Sequence, residues 1–484
     1  MDIKFFSSFA WKFFERASTQ IINLIIQIVL ARLIAPSQFG ALAILIVFIN
    51  VANIFVQKGF SSSLIRKKNV DETDFNTAFV SGETVALVFY IILFFIAPFI
   101  ANFYDIPELK WGLRIISLQL LFGAVYCVQN AILVRQMEFK MIFVRSLISS
   151  VISGTVGIIM AYFDFGIYAL IAQSLLNQIL SCVAVWFSVK WKPHLQFSKS
   201  HFKDIFSFGG KILASELLSY GVESIRTLIV GKQYSDEQLS YYDRGQTYPM
   251  TLMRGIHDTI SGVLLPKFSS AQDEVKRLSG YMLRCISFIM FIIFPIFTGM
   301  AAVAEPLIKI LLTDKWLAAV PFFMIFCFYQ IPYPIQSIYR QSIYAIGRSD
   351  ITLKLEVAKA VISAITLLAA MPFGVIAVAV SAIVTMYAMT FLTIIVSSKQ
   401  ISIKTMQVVK VIYKSAIYSL AMFILVYAEN ILEISVFIKL VLQVVTGVSV
   451  YILLAILFKD ENLKYLWECL KTILKIRNGE NRHV

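Results

Sequence analysis

The chain has 484 residues, of which 58% are hydrophobic and only 15% charged, with a formal net charge of +14. Soluble domains carry roughly a quarter charged residues, so this composition excludes an ordinary globular chain and points to a polytopic membrane protein. The basic residues are scattered between apolar blocks instead of forming one soluble basic face, which excludes a nucleic-acid partner.

The apolar residues fall in continuous blocks of about 20 residues, the length of a helix crossing ~30 Å of hydrocarbon. Alternating barrel strands would look different. In chain order the spans are expected near residues 9–34, 39–59, 76–104, 110–134, 140–163, 166–190, 205–231, 238–265, 279–303, 318–345, 350–371, 374–397, 411–428 and 434–458. The expected fold is thus an all-α membrane protein of about 14 transmembrane helices. The first, seventh and eighth spans are the most polar.

Lys and Arg alternate with acidic or neutral connections along the chain. One set of loops holds Arg66, Lys67 and Lys68, then Arg135 and Lys140, Lys190 to Lys203, Lys267 to Arg277, Arg348 and Lys354, Lys399 to Lys410, and the tail. The other set holds Asp105 and Glu108, Asp164, Asp236 and Glu237, Glu305 and Asp314, Glu429 and Glu433. The positive-inside rule then puts both termini in the cytoplasm. No cleavable signal peptide is expected, because the first apolar region is interrupted by polar residues.

Chemistry-bearing motifs are lacking. The five cysteines have no CxxC or metal-like spacing, the four histidines form no cluster, and there is neither a P-loop nor a GxGxxG. No cofactor or metal is expected, and no loop is long enough to fold into a catalytic domain, so the chain is read as no enzyme.

The informative residues are polar positions inside the spans. In the first span Arg16, Gln20, Asn23 and Gln27 lie within about 60° of one another at 100° per residue. The second repeats the stripe with Asn50, Asn53 and Gln57. Polar groups in hydrocarbon cost several kcal/mol if unmatched, so such stripes should face protein or water. The seventh span carries Lys211, Glu216, Ser219, Glu223 and Arg226 on an arc of about 140°. In the eighth, Asp243, Gln246, Thr247, Arg254, His257, Asp258 and Ser261 fill one side, with Arg254 and Asp258 spaced to pair at i,i+4. The tenth adds Gln330, Tyr333, Ser337, Arg340, Gln341 and Tyr344. The last four spans are nearly free of ionisable residues except at their inner ends.

Single Ser, Thr or Gln side chains in a membrane most often glue helices together. Mid-depth cations are rarer, and Arg16, Lys211, Arg226 and Arg254 therefore point to a pathway or an anionic ligand. A weak repeat at a constant offset of 200 sets "RLIAPSQFGAL" from Arg32 against "KQYSDEQLSYY" from Lys232. It pairs spans one and two with seven and eight, as in a two-lobed transporter. The expected organisation is 1–204 N-lobe (spans 1–6), 205–400 C-lobe (spans 7–12), 401–458 (spans 13 and 14) and 459–484 cytoplasmic tail.

The stretches "ARLIAPSQFGALAI" (31–44), "GFSSSLIRKK" (59–68), "YYDRGQTYPMTLMRGIHDTISGVLLPKFSSAQ" (241–272) and "GRSD" (347–350) resemble the polysaccharide transporter family of Wzx-like oligosaccharide flippases. That family belongs to the multidrug/oligosaccharidyl-lipid/polysaccharide (MOP) exporter superfamily. The resemblance implies two pseudo-symmetric six-helix lobes in the MATE-like arrangement, two extra C-terminal helices and a cavity of alternating access. It implies a polyprenyl (undecaprenyl) diphosphate-linked oligosaccharide as cargo. The cargo would move from the cytoplasmic to the outer leaflet of a bacterial plasma membrane during O-antigen, capsule or exopolysaccharide synthesis, alongside a polymerase and glycosyltransferases.

On this reading Arg16, Lys211, Arg226 and Arg254 neutralise the diphosphate, while Gln20, Asn23, Gln27, Asn53, Gln330, Tyr333 and Arg340 complete the head-group site. Glu216, Glu223 and Asp258 are candidates for coupling to H+ or Na+. The rivals are a MATE-like cation-coupled multidrug exporter, which would have about twelve spans and an anionic or apolar cavity, and a membrane glycosyltransferase or polymerase, which would need a sizeable outer loop.

Overall fold

The structure is a computed structural model, and it describes residues 20–67, 70–136, 138–269, 274–346, 348–401 and 403–477. Among the described residues every regular element is helical. Helix α1 covers Gln20–Leu33. It is followed by α2 (Pro36–Asn53), a π-helical turn (Ile54–Lys58), α3 (Gly59–Arg66), α4 (Glu72–Tyr104), α5 (Glu108–Ile116), α6 (Gln119–Arg135), α7 (Phe139–Tyr162), α8 (Ile167–Trp186) and α9 (Lys199–Gln233). Then come α10 (Asp236–Ser269), α11 (Val275–Ala302), α12 (Ala304–Leu312), α13 (Val320–Gln330), α14 (Tyr333–Ala345), α15 (Ser349–Ala370), α16 (Val375–Ile401), α17 (Thr405–Ala428), α18 (Val436–Leu457) and α19 (Glu461–Arg477).

Among the described residues, eleven stretches are long and apolar enough to cross a membrane. Counted with α1, α9 and α10, the membrane helices number about fourteen among the described residues. Helices α9 and α10 run 35 and 34 residues, more than enough to cross, and they fall short only in apolarity. The chain is therefore a multi-pass membrane protein.

Helix boundaries follow local chemistry. Asp71 caps α4 by accepting the backbone N–H of Asp74 at 2.8 Å, and Asp74 returns the bond to the Asp71 N–H at 3.2 Å. This capping box satisfies two orphan donors. Gln38 reaches from α2 to accept the N–H of Ile167 at 2.9 Å, which caps α8 next to Gly166 at φ 55. Arg135 at the end of α6 donates to the carbonyl of Leu64 at 2.7 Å, closing the C-terminal turn of α3.

Two compact units result, residues 1–243 and 244–484, divided inside α10. In the first, α3, α4, α6 and α9 enclose Phe60, Leu64, Ala78, Cys127, Val128 and Ile205. Helix α9 packs there on α2, α3 and α4. Gly59 and Gly209 let α3 and α9 touch backbone to backbone, since a Cβ on Gly209 would lie 2.6 Å from the Gly59 carbonyl oxygen. In the second, α11, α17 and α18 bury Phe291, Tyr418, Met422 and Tyr451, with the Tyr451 hydroxyl donating to the Phe291 carbonyl at 2.7 Å.

Each unit also presents apolar stripes outward. Leu87, Ile91, Phe95 and Phe99 on α4 are exposed, as are Leu353, Val357, Val361, Ile365 and Leu368 on α15. The spacing of three or four residues keeps each stripe on one helix face. Stripes of this length on helices with every backbone bond made internally are what a bilayer requires.

Candidate functional site

The helix boundaries match the sequence repeat: α1 ends at residue 33 and α9 at 233, while α2 begins at 36 and α10 at 236. The expected polar helices are thus corresponding elements of the chain.

In the first unit the α2 stripe is drawn into a small polar cluster. Gln57 Nε2 donates to Asn53 Oδ1 at 2.9 Å, and Asn50 Nδ2 donates to the Tyr220 hydroxyl of α9 at 3.0 Å. Gly123 of α6 makes room for the amide pair, because a Cβ there would sit 2.6 Å from Gln57 Nε2. The π-helical turn begins right after Asn53 and contains Gln57. Such turns widen the helix by one residue and occur often at functional positions.

Tyr220 stands one turn from Glu216 and three residues before Glu223 on α9. Glu216 is exposed and Glu223 half-buried. Arg226 is 7% exposed and lies beside the buried Tyr242 of α10. On α1, Gln20 and Gln27 are half-buried and Asn23 exposed, whereas Ile26 and Leu30 are buried. Arg16 lies outside the described residues, as do the side chains of Lys211 and Asp258.

In the second unit α10 and α14 meet through His257, whose Nδ1 is 3.0 Å from the Ser337 hydroxyl and whose ring stands edge-on to Tyr333 at 5.2 Å. Arg254, three residues earlier, is exposed. It touches Met250 Sδ at 3.5 Å and makes no ion pair among the described residues. Gln330 and Tyr333 flank a break in the tenth span between α13 and α14. Pro332 and Pro334 cause the break because neither has an N–H to continue the ladder. The freed Phe328 carbonyl accepts instead from Ile331 N–H at 3.3 Å and from the Tyr387 hydroxyl at 3.2 Å. Gln330 is 2% exposed, and its Nε2 has no partner among the described residues. Discontinuous helices with free polar groups are where transporters hold polar cargo. Arg340 differs from the other cations: it pairs with Glu356 of α15 at 3.1 Å, so part of its charge is already matched.

Several polar groups escaped the sequence reading. Glu83 of α4 sits beside Val125 of α6 and Cys182 of α8, and its Oε1 has no hydrogen-bond partner among the described residues. Gln129, fully buried on α6, and Gln178 Nε2 on α8 are likewise unmatched there. Buried polar atoms are almost always bonded, so each unmatched one marks a place where water or cargo can supply the bond. The available signal was Glu83 inside an apolar stretch of α4, together with the amides Gln129 and Asn130 on α6 and Gln173, Asn177 and Gln178 on α8.

One cluster has metal-like composition. Ligand atoms of Asp71, Asp74 and His201 lie within 4.8 Å of one another. Both Asp74 oxygens already receive Lys67 Nζ, at 2.6 and 2.8 Å, and His201 Nε2 is 3.4 Å from Asp71. A cation would have to displace the ammonium, so these groups read as an ion-pair knot holding the start of α4.

Known proteins place the chain. The family model described as polysaccharide biosynthesis protein matches residues 29–321, more than half of the chain. The succinoglycan biosynthesis transport protein ExoT of Rhizobium meliloti (strain 1021) is 22% identical over 311 residues, 64% of this chain and 63% of its own. The chain therefore matches just under two thirds of that relative's length. Among solved structures, lipid II flippase MurJ in an inward closed conformation is similar at TM-score 0.73 and 16% identity, over 92% of this chain and 98% of its own. An inward-facing MATE family multidrug resistance transporter of the MOP superfamily follows at TM-score 0.62 and 15% identity, over 81% of this chain and 98% of its own. With the family model covering more than half of its length, the chain belongs to the polysaccharide biosynthesis protein family.

Proposed function

We propose that the protein is a flippase that carries a polyprenyl diphosphate-linked oligosaccharide from the cytoplasmic to the outer leaflet of a bacterial plasma membrane, by alternating access, for polysaccharide synthesis. The supporting observation is that two long helices, α9 and α10, fall short of the apolarity of the other spans and carry Lys211, Arg226 and Arg254, while Arg16 precedes α1 in the sequence. A diphosphate and a string of hydroxyls cannot cross hydrocarbon, whereas an isoprenoid tail prefers it. Such cargo needs cations for its phosphates, amides and hydroxyls for its sugars, and lipid-facing walls for its tail.

On this proposal Arg16, Lys211, Arg226 and Arg254 neutralise the diphosphate through charge-assisted bonds. Gln20, Asn23, Gln27, Asn53, Gln330 and Tyr333 meet sugar hydroxyls. Arg340 joins them to the extent that Glu356 releases it. The lobes that exchange access are 1–204 and 205–400, with 401–458 as supporting helices and both termini cytoplasmic. Glu216, Glu223 and Asp258 couple transport to H+ or Na+, and a polymerase and glycosyltransferases handle the cargo before and after it crosses. The relative named above is a transport protein of polysaccharide biosynthesis, and the MurJ neighbour a lipid flippase, which supports a carrier over an enzyme. A multidrug exporter is the weaker reading, because Arg16, Lys211, Arg226 and Arg254 make cations prominent in the polar spans and about fourteen spans are expected instead of about twelve.

The test is transport of a fluorescent lipid-linked oligosaccharide in reconstituted vesicles. The proposal expects Arg254→Ala and Lys211→Ala each to slow transport at least about tenfold, the equivalent of one lost charge-assisted contact. Wild-type rates in both variants would reject it.

A further inference from the structure

Outside the polar helices, the second unit holds a cavity of about 350 Å³ walled by three elements. The α11 wall gives Leu283, Arg284, Ser287 and Phe288; α17 gives Lys410, Val411 and Lys414; the α19 side gives Asp460, Glu461, Asn462 and Tyr465. Its floor is fixed by hydrogen bonds. Asn462 Nδ2 donates to Ser287 Oγ at 3.0 Å, and Ser287 Oγ contacts the Val411 carbonyl at 3.3 Å. Tyr465 stands edge-on to Phe288 at 5.1 Å, which pins α19 to α11.

The charges are unequal. Lys410 and Lys414 are one helical turn apart on the same face of α17, and Arg284 faces the cavity from α11. None of the three makes an ion pair among the described residues. Of the two carboxylates, Asp460 is buried and turned into the start of α19, where its Oδ1 receives both the Asn462 N–H at 2.9 Å and Asn462 Nδ2 at 3.0 Å. Glu461 is exposed on the first turn of α19. Three cations against one locally engaged and one exposed carboxylate leave the cavity with an excess of positive charge.

Its depth is set by its walls. Arg284, Lys410 and the start of α19 all follow the Lys- and Arg-rich connections, which puts the cavity at the cytoplasmic head-group level on the positive-inside reading. Next to it on α17, Val409, Tyr413 and Ile417 are exposed at lipid-facing spacing. Helix α19 lies along the surface: Leu463 and Leu466 pack on the core formed by Phe291, Met422 and Tyr451, while Tyr465 and Trp467 are exposed. Amphipathic helices with exposed aromatic residues sit at the boundary between acyl chains and head groups. A basic cavity that opens between membrane helices at that level suits a lipid phosphate.

We propose that Arg284, Lys410 and Lys414 bind the phosphodiester of an anionic phospholipid from the inner leaflet, its acyl chains lying along Val409, Tyr413 and Ile417, separately from any transported cargo. The commitment is to a lipid, because the cavity opens beside an apolar helix face.

The test uses the full-length protein in detergent, titrated with short-chain phosphatidylglycerol, phosphatidylcholine or glycerol 3-phosphate and read by native mass spectrometry. Three exposed basic residues predict a preference for phosphatidylglycerol over phosphatidylcholine of at least roughly tenfold. The variant R284Q/K410Q/K414Q should lose that preference, and R284K/K410R/K414R should retain most of it. Both variants replace exposed side chains, and their thermal unfolding midpoints, which should stay near that of the wild type, check folding. Equal binding of the two lipids, an undiminished preference in the neutral variant, or glycerol 3-phosphate binding as tightly as phosphatidylglycerol would each overturn the proposal.

Discussion

Asn50 of α2 donates its amide hydrogen to the Tyr220 hydroxyl of α9 at 3.0 Å, across 170 residues of sequence. The bond joins two polar stripes, one of amides and one of charges, inside the first unit. A neutral hydrogen bond between half-buried partners contributes about 1 kcal/mol. Tyr220→Phe and Asn50→Leu should each destabilise the protein by about that amount, and the double variant should cost less than their sum. Thermal unfolding midpoints of the three variants check this; strict additivity would mean the two residues do not interact.

Backbone contact between α2 and α10 sets a second expectation. A Cβ on Gly40 would lie 1.9 Å from the carbonyl oxygen of Asp236, a distance no packing adjustment absorbs without moving a helix. Gly40→Ala should therefore destabilise by about 2 kcal/mol or more, as overpacked cores do. Gly221 of α9 has nothing within 4 Å of its added Cβ, so Gly221→Ala should be neutral or stabilise by up to about 1 kcal/mol. Unfolding midpoints of the pair, measured together, should move in opposite directions or by clearly unequal amounts.

The start of α4 carries the acid sensitivity. Asp71 lies just before the span, and its carboxyl is held below its ordinary value of 3.8, chiefly by the Asp74 backbone N–H and further by His201 and Lys67, against an opposing desolvation. A lowered folded-state value means that this stabilisation is present above the ordinary value and is lost as pH falls through the folded one. Stability should thus decline as pH drops below about 4. Asp71→Asn should keep the cap but flatten that decline, while Asp71→Ala should cost about 1 kcal/mol at neutral pH. Urea unfolding at pH 7 and below pH 4 measures both.

Pro332 divides the tenth span between Gln330 and Tyr333. Pro334 lies in the same junction, so the double variant Pro332→Ala/Pro334→Ala restores both backbone donors and should allow α13 and α14 to fuse, gaining up to about 3 kcal/mol in stability. If the break presents Gln330 and Tyr333 to cargo, transport should fall despite the gain. Unchanged transport in a stabilised variant would show the break to be incidental.

Much of this was legible from spacing alone. About fourteen spans follow from block length, and α9 and α10 fall short of apolarity for the reason that made them interesting: their polar residues share faces. The tenth-span break could be read from Pro332. The π-helical turn could not, because Ile54–Lys58 is a run of ordinary helix formers and the extra residue arises from packing around Asn53, Gln57 and Gly123. Glu83 was overlooked because one carboxylate beyond the first turn of α4 makes no stripe, and only the fold brings it to Val125 and Cys182. Lys410 read as a marker of topology; its place in a walled cavity depends on α11 and α19, distant in sequence.

The central claim is that the polar stripes border water while the apolar stripes border lipid. Cysteine accessibility measures this directly, in a background with the native cysteines replaced: Asn23→Cys, Asn53→Cys and Arg254→Cys against Ile91→Cys and Val361→Cys, probed in membranes with a charged, membrane-impermeant thiol reagent. The account predicts that the first three react and are protected by lipid-linked oligosaccharide, and that the last two stay unmodified. Unreactive positions at all three polar sites, with or without the lipid, would contradict it.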